Sequence, residues 1–296
     1  MGVQRVGGSS VARPERICGI IDILKDYYAA GDHFTVVFSA FGGVTDSLIE
    51  MSRLAAAGDD YYGEAFQNFA DRHQSAIEEL LPEGALRKET AAQMRKSHDV
   101  LKNLLYGIFL VREASTRTMD YVLSFGERSS SYIISKALQQ AGIPAEYLDA
   151  RKILRTDKTF GSAKVNFEKS YDQIRSYYAE NTKVQVVTGF IASAKGGLTT
   201  TLGRGGSDYT ASLIAAGLKA DAIEIWTDVS GVLTADPRRV KKAFTIPKLT
   251  YAEAMEMSHF GAKVIYPPTL MPALRGRIPL YIKNTFCLLY PSHAAY

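Results

Sequence analysis

Three short stretches of this 296-residue sequence combine glycine with hydroxyl or charged side chains: Gly7-Gly8-Ser9-Ser10, Gly42-Gly43-Val44-Thr45-Asp46 and Gly203-Arg204-Gly205-Gly206-Ser207-Asp208. Each follows a strand-like run and precedes a helical pattern. Backbone N–H groups and helix N-termini would then converge where a parallel sheet ends, a setting that binds phosphates and other anions. One glycine turn is ordinary chain reversal, but three at successive sheet edges point to an anion site. For Ser207 and Asp208 the plain alternative is helix capping.

The common nucleotide and hydrolase signatures are missing. There is no Gly-Lys dipeptide and so no Walker A loop, and Gly203-Arg204-Gly205-Gly206 lacks the third glycine of the dinucleotide fingerprint. Neither H-R-D, D-F-G, G-x-S-x-G nor H-E-x-x-H occurs, and the five histidines are isolated from one another along the chain. No protein metal site is expected.

These loops need a scaffold, and the sequence supplies one. Strands are expected at Phe34 to Ser39, Val184 to Thr188, Ala222 to Thr227 and Pro279 to Ile282. Near-continuous apolar runs of this kind suit strands covered on both faces. With glycine turns and helical patterns between them, they predict an α/β fold with an open, mostly parallel sheet sandwiched between helices. Between about Leu48 and Gln140 the pattern changes to long helices, notably Ala85 to Arg112 and Met119 to Gln140. This helical lobe is either a substrate-side lid or a layer of the same domain.

A net charge of +4 is mildly basic, and the lysines and arginines are scattered along the chain. No nucleic-acid partner is expected. The densest basic run, Arg238-Arg239-Val240-Lys241-Lys242, reads as a solvated loop. Cys18 and Cys287, almost the whole chain apart, support neither a disulfide framework nor a zinc site and are expected to be buried thiols. No apolar leader opens the sequence and no run is long enough to span a bilayer, so no membrane partner and a cytoplasmic location are expected.

Six segments, QRVGGSSVA near the start, FSAFGGVTD (38–46), LSFGERSSS (123–131), TTTLGRGGSDYTA (199–211), EIWTDVSGVLTADPR (224–238) and FGAKVIYPPTL (260–270), resemble aspartokinases in the right order over nearly the whole chain. The resemblance implies the amino-acid kinase fold, with ATP and an amino acid meeting end to end over the strand C-termini. It implies phosphorylation of the side-chain carboxylate of L-aspartate to 4-phospho-L-aspartate, the first step of aspartate-family (lysine, threonine and methionine) biosynthesis, with ATP and Mg2+. Carried over residue by residue, it assigns Ser39, Thr45, Glu127, Arg204 and Ser207 to the aspartate side. Residues Arg5, Gly8 and Asp208 fall to the transferring phosphoryl, and Gly7, Thr227, Asp228, Leu233, Arg238, Lys263 and Val264 to ATP. The residue types agree, since Arg204 offers a planar fork to a carboxylate and Glu127 an acceptor to an ammonium group.

Three departures from the family pattern stand out: Leu233 where tyrosine is frequent, Tyr266 where histidine is common, and Arg5 in place of a lysine. Arginine keeps the charge but spreads it over a bulkier fork. The alternatives left open are another kinase of the same fold with a different small carboxylate, or an ATP- and aspartate-binding protein with impaired turnover. Residues 1–286 are expected to form the catalytic domain and 287–296 a tail, without the regulatory ACT domains that family members carry. Oligomeric state is not legible, and a homo-oligomer is compatible with all of this.

Overall fold

Runs rich in β-branched and aromatic residues become strands, and amphipathic stretches between them become helices. In the computed structural model, which describes residues 1–229, 231–235, 239–259, 266, 270–286 and 294–295, the chain begins with β1 (Gly2–Val6), α1 (Pro14–Ala29) and β2 (Phe34–Phe38). Four helices follow: α2 (Val44–Ala57), α3 (Tyr62–Leu80), α4 (Ala85–Val111) and α5 (Thr116–Gln140). Next come β3 (Ala145–Leu148), a 3-10 turn at Ala150–Lys152, β4 (Arg155–Thr156), α6 (Phe167–Glu180), β5 (Val184–Thr188), β6 (Ile191–Ala194) and β7 (Leu198–Thr201). The remainder holds α7 (Gly206–Leu218), β8 (Ala222–Thr227), α8 (Tyr251–His259), α9 (Met271–Gly276), β9 (Leu280–Asn284) and β10 (Ala294–Ala295).

Among the described residues the main sheet runs β10-β9-β8-β1-β2-β5-β3, and every pairing is parallel except β10 with β9. Strand β1 sits at its centre, between β2 and β8. A second sheet, β4-β6-β7, stands apart. Side chains alternate between two cores, as the pleat requires. Phe34, Val36 and Phe38 of β2 join α1–α5 on one face, whereas Val37 joins α7 and α9 on the other. Helices α2–α5 share a single apolar core with α1 and the sheet, so this segment packs as a layer on the sheet.

The strands expected at Val184–Thr188 and Ala222–Thr227 are found with those bounds, and the other expected elements with shifted ends. Strand β9 starts at Leu280 and runs on to Asn284, and Ser39 lies just past β2. Helix α5 begins at Thr116 because Ser115 caps it, its Oγ accepting from the Thr118 amide at 3.2 Å. Cys18 is exposed, contrary to expectation, because it lies on the outer face of α1 whose buried side carries Ile17, Ile20, Ile21 and Leu24. Cys287 lies outside the described residues. Arg239 to Lys242 are exposed, as a solvated loop should be. His73 and His98, distant in sequence, meet inside the helical layer with ring centroids 5.2 Å apart. Burial pushes their imidazoles down to about 3 and about 4, so both stay uncharged at neutral pH. Among the described residues no helix is long and apolar enough to cross a membrane.

Leu101 of α4 is fully buried in the core that joins the helical layer to the sheet. Leu101→Ala is expected to lower stability by about 2–5 kcal/mol. In urea unfolding followed by fluorescence and circular dichroism, both probes should shift together, because the layer and the sheet share that core.

Candidate active site

The C-terminal ends of the central strands are drawn together by backbone contacts. Gly7 N donates to Trp226 O at 3.0 Å, tying β1 to β8, and Gly189 N donates to Phe38 O at 2.8 Å, tying the end of β5 to β2. The glycine loops then touch. A Cβ on Gly42 would lie 3.0 Å from Gly8 O and 2.9 Å from Ala12 Cβ, so a side chain there would force the first two loops apart. One on Gly189 would fall 2.5 Å from Ser207 Oγ, which places the start of α7 against the end of β5. The third glycine segment arrives differently from expectation. It follows β7 of the small sheet, and the parallel sheet does not carry it.

Helix α5 closes the site from the side. Gly126 packs against Ala40, a Cβ there meeting Ala40 Cβ at 2.9 Å, and Ser130 Oγ donates to Ser39 O at 2.8 Å. Between them, Glu127 is only 4 % exposed, with the Ala40 amide beside its carboxyl. Burial pushes that carboxyl up to about 8, and the Ala40 amide pulls the other way without winning.

Arg5 projects from β1 into the same edge. Its Nε lies 2.9 Å from Asp208 Oδ1 on the first turn of α7, and its Nη2 donates to Ser39 Oγ at 3.4 Å. The Arg5–Asp208 pair is charge to charge, since those two atoms are not aligned for a hydrogen bond. Burial raises the Asp208 carboxyl, with Arg5 opposing it. Arg5, Gly8, Ser39, Glu127, Ser207 and Asp208 thus occupy one neighbourhood.

Other expected residues are placed less tightly. Thr45 is half-buried in the first turn of α2. Arg204 is exposed, and its guanidinium lies 5.4 Å from the centre of the Tyr266 ring; among the described residues it forms no ion pair with Glu127 or Asp208. Thr227 ends β8 and Asp228 follows it, with Thr227 Oγ1 donating to Asp228 Oδ1 at 3.2 Å. Leu233 forms a β-bridge with Thr245. The Gly7 amide is engaged with Trp226, whereas the Gly8 amide has no partner among the described residues. Arg238, Lys263 and Val264 lie outside the described residues.

Sequence reasoning passed over Asp120. Its carboxylate, 1 % exposed, accepts from Gly161 N at 3.0 Å, Thr201 N at 3.0 Å and Thr201 Oγ1 at 2.7 Å. It therefore fixes the helix that carries Glu127 to the strand that leads into Arg204. No local pattern announces it. Ser130 lay inside the recognised SFGERSSS segment, but its hold on Ser39 spans 91 positions.

Fold and edge together define a class: an α/β protein that gathers glycine loops, a buried carboxyl and an arginine–aspartate pair over the ends of parallel strands. Residues 2–284 match the model of the amino acid kinase family. The chain belongs to that family. Over 291 residues it is 33% identical to the chloroplastic bifunctional aspartokinase/homoserine dehydrogenase 2 of Arabidopsis thaliana, covering 98% of this chain and 31% of the plant protein. It is also 33% identical to the lysine-sensitive aspartokinase 3 of Escherichia coli, over 96% of this chain and 61% of that protein. The crystal structure of E. coli aspartokinase III in complex with aspartate and ADP superposes with a TM-score of 0.86 at 32% identity, covering 96% of this chain and 62% of that one. The chain thus spans about a third of the plant protein and about three fifths of the bacterial one.

Two measurements test the site. The Glu127 pKa lies above the ordinary carboxyl value of 4.5, so ionising it in the fold costs stability. That cost is absent below about pH 4.5, grows as pH rises and is complete above about pH 8. Glu127→Gln should match wild type in thermal unfolding at about pH 4 and exceed it at about pH 8.5. Asp120→Asn sets an amide against N–H donors and should cost about 1–3 kcal/mol. Faster hydrogen exchange at Gly161 and Thr201 would localise the loss.

Proposed function

We propose that this chain transfers the γ-phosphoryl group of ATP to the side-chain carboxylate of L-aspartate, giving 4-phospho-L-aspartate and ADP. The observation that carries the reading is the meeting of Arg5, Gly8, Ser39, Glu127, Ser207 and Asp208 at one sheet edge. It is supported by the likeness to a structure whose ligands are aspartate and ADP.

The acceptor carboxylate has a reference pKa of about 3.9 and is ionised at neutral pH, so it can attack the γ-phosphorus without a general base. A new bond forms from the carboxylate oxygen to phosphorus, and the bond from the γ-phosphorus to the bridging oxygen breaks. Catalysis is then alignment and charge neutralisation. In this reading Arg5 and the Gly8 amide face the phosphoryl oxygens. Glu127 receives the α-ammonium group, whose positive charge stabilises the carboxylate, so Glu127 gives up its proton on binding. Arg204 leaves the Tyr266 ring for the α-carboxylate, with Thr45 and Ser207 beside it.

Thr227, Asp228, Leu233, Arg238, Lys263 and Val264 are proposed for the nucleotide. Mg2+ would enter with the ATP phosphates and neutralise their charge. Asp208 is the carboxylate at this edge that could meet it, and its Oδ1, now paired with Arg5, would then exchange that partner. The product is an acyl phosphate, the expected first intermediate of lysine, threonine and methionine formation, and the cytoplasm is the proposed location.

Trapping the acyl phosphate as a hydroxamate with ATP, Mg2+ and aspartate tests the reading. Arg204→Ala should raise KM for aspartate about 10–100-fold with a smaller change in kcat. Arg5→Ala should lower kcat about 100-fold or more. Unchanged aspartate dependence in the Arg204 variant would refute the substrate pose. Binding of both ligands without turnover, cured by Arg5→Lys, would favour an impaired binding protein.

A further inference from the structure

Basic residues that look scattered along the sequence gather in one place in the fold. Beyond β3, the 3-10 turn at Ala150–Lys152 and the turn joining β6 to β7 enclose a cavity of about 470 Å³ lined by Arg151, Lys152, Arg155 and Lys195. A second cavity of about 480 Å³, bounded by the start of α6, shares Arg155 and Lys195 and adds Lys169. Neither is lined by any residue of the candidate active site.

Each carboxylate on these walls is already committed. Asp149 takes a fork of hydrogen bonds from Arg151 Nε and Nη2, at 2.9 Å and 2.6 Å, and Asp172 pairs with Arg175 at 2.6 Å. Lys152, Arg155, Lys169 and Lys195 have no carboxylate within ion-pair distance among the described residues. Arg155 is nonetheless held in place. Its Nη1 donates to Ser193 Oγ at 2.7 Å and to the Arg151 carbonyl, and its Nη2 to Lys152 O at 3.1 Å. A fixed guanidinium without a counter-charge among the described residues, on walls it shares with three lysines, is a preorganised positive field. The turn adds a backbone donor. Gly197 N is spent on Ala194 O, while the Gly196 amide has no backbone partner among the described residues.

We propose that these joined cavities bind a linear polyphosphate, carried either by a nucleotide or as the free inorganic chain. Arginine, lysine and a glycine amide together suit the oxygens of successive phosphate groups, and a single carboxylate would leave most of the positive charge unmatched. This second anion site does not depend on the reaction assigned to the other edge.

Titration calorimetry of the whole chain with inorganic tripolyphosphate and, separately, with guanosine triphosphate tests the assignment. Affinity for tripolyphosphate should fall about tenfold or more in Lys152→Ala/Lys195→Ala, and in wild type it should weaken steeply between about 50 and about 200 mM salt. Melting and hydroxamate formation should match wild type in that variant, which shows that it is folded, while Arg5→Gln should retain the tripolyphosphate site. Tighter binding of guanosine triphosphate identifies a nucleotide ligand; tighter binding of tripolyphosphate identifies the free chain. Equal affinity in wild type and the double-lysine variant overturns the proposal, as does loss of all binding in Arg5→Gln.

Discussion

The dipeptide Ser39-Ala40, immediately past β2, is gripped from every side, and the candidate site takes its shape from that grip. Ser130 holds the Ser39 carbonyl, Arg5 reaches the Ser39 hydroxyl, and the Ala40 amide points at Glu127. Gly126 presses against Ala40 so closely that a Cβ there would meet Ala40 Cβ at 2.9 Å, and one on Gly8 would crowd Ala40 O at 3.2 Å. Protein interiors are close-packed and do not absorb such contacts by soft deformation. Fixing this one backbone segment therefore sets β1, β2 and α5 relative to one another, and the side chains follow.

Within that frame the fold accepts an electrostatic cost. A carboxyl buried as deeply as Glu127 is held largely protonated at neutral pH, and only a cation brought alongside it would restore the charge. Arg5 and Asp208 show the opposite arrangement, two charges that neutralise each other in a crowded corner. The first group awaits a positive partner, and the second already has one. In the proposed function the first would receive an ammonium ion, and the second would turn a guanidinium edge toward phosphate oxygens.

Much of this was visible in the residues. The run FTVVF could be little other than a covered strand, and glycine followed by hydroxyl residues marked the loops. Motif order gave Glu127, Ser207 and Asp208 their neighbourhood. What escaped notice depends on contacts between distant positions. Asp120 meets Thr201 across 81 residues, and neither carries a local sign of the other. The small sheet that delivers Arg204 could not be told from the main one, because a strand's own sequence does not say which neighbour it pairs with. Cys18 fell on the outside because helix phase, not residue type, decided its exposure. The cationic cavities likewise assemble from a turn, a hairpin and a helix that are separate in the chain.

The central position of β1 constrains how the molecule can be made. One edge of β1 pairs with β2, which follows soon after, but its other edge waits for β8, whose residues Ala222–Thr227 are synthesised far later. Until then a nascent chain carries an open backbone ladder in the middle of its future sheet, a surface prone to pair with whatever strand is near. The long intervening helices can form early from local contacts. Completion of the sheet is therefore a late, long-range event, and the corner formed by Arg5 and Asp208 can assemble only once the start of α7 has followed β1 out of the ribosome.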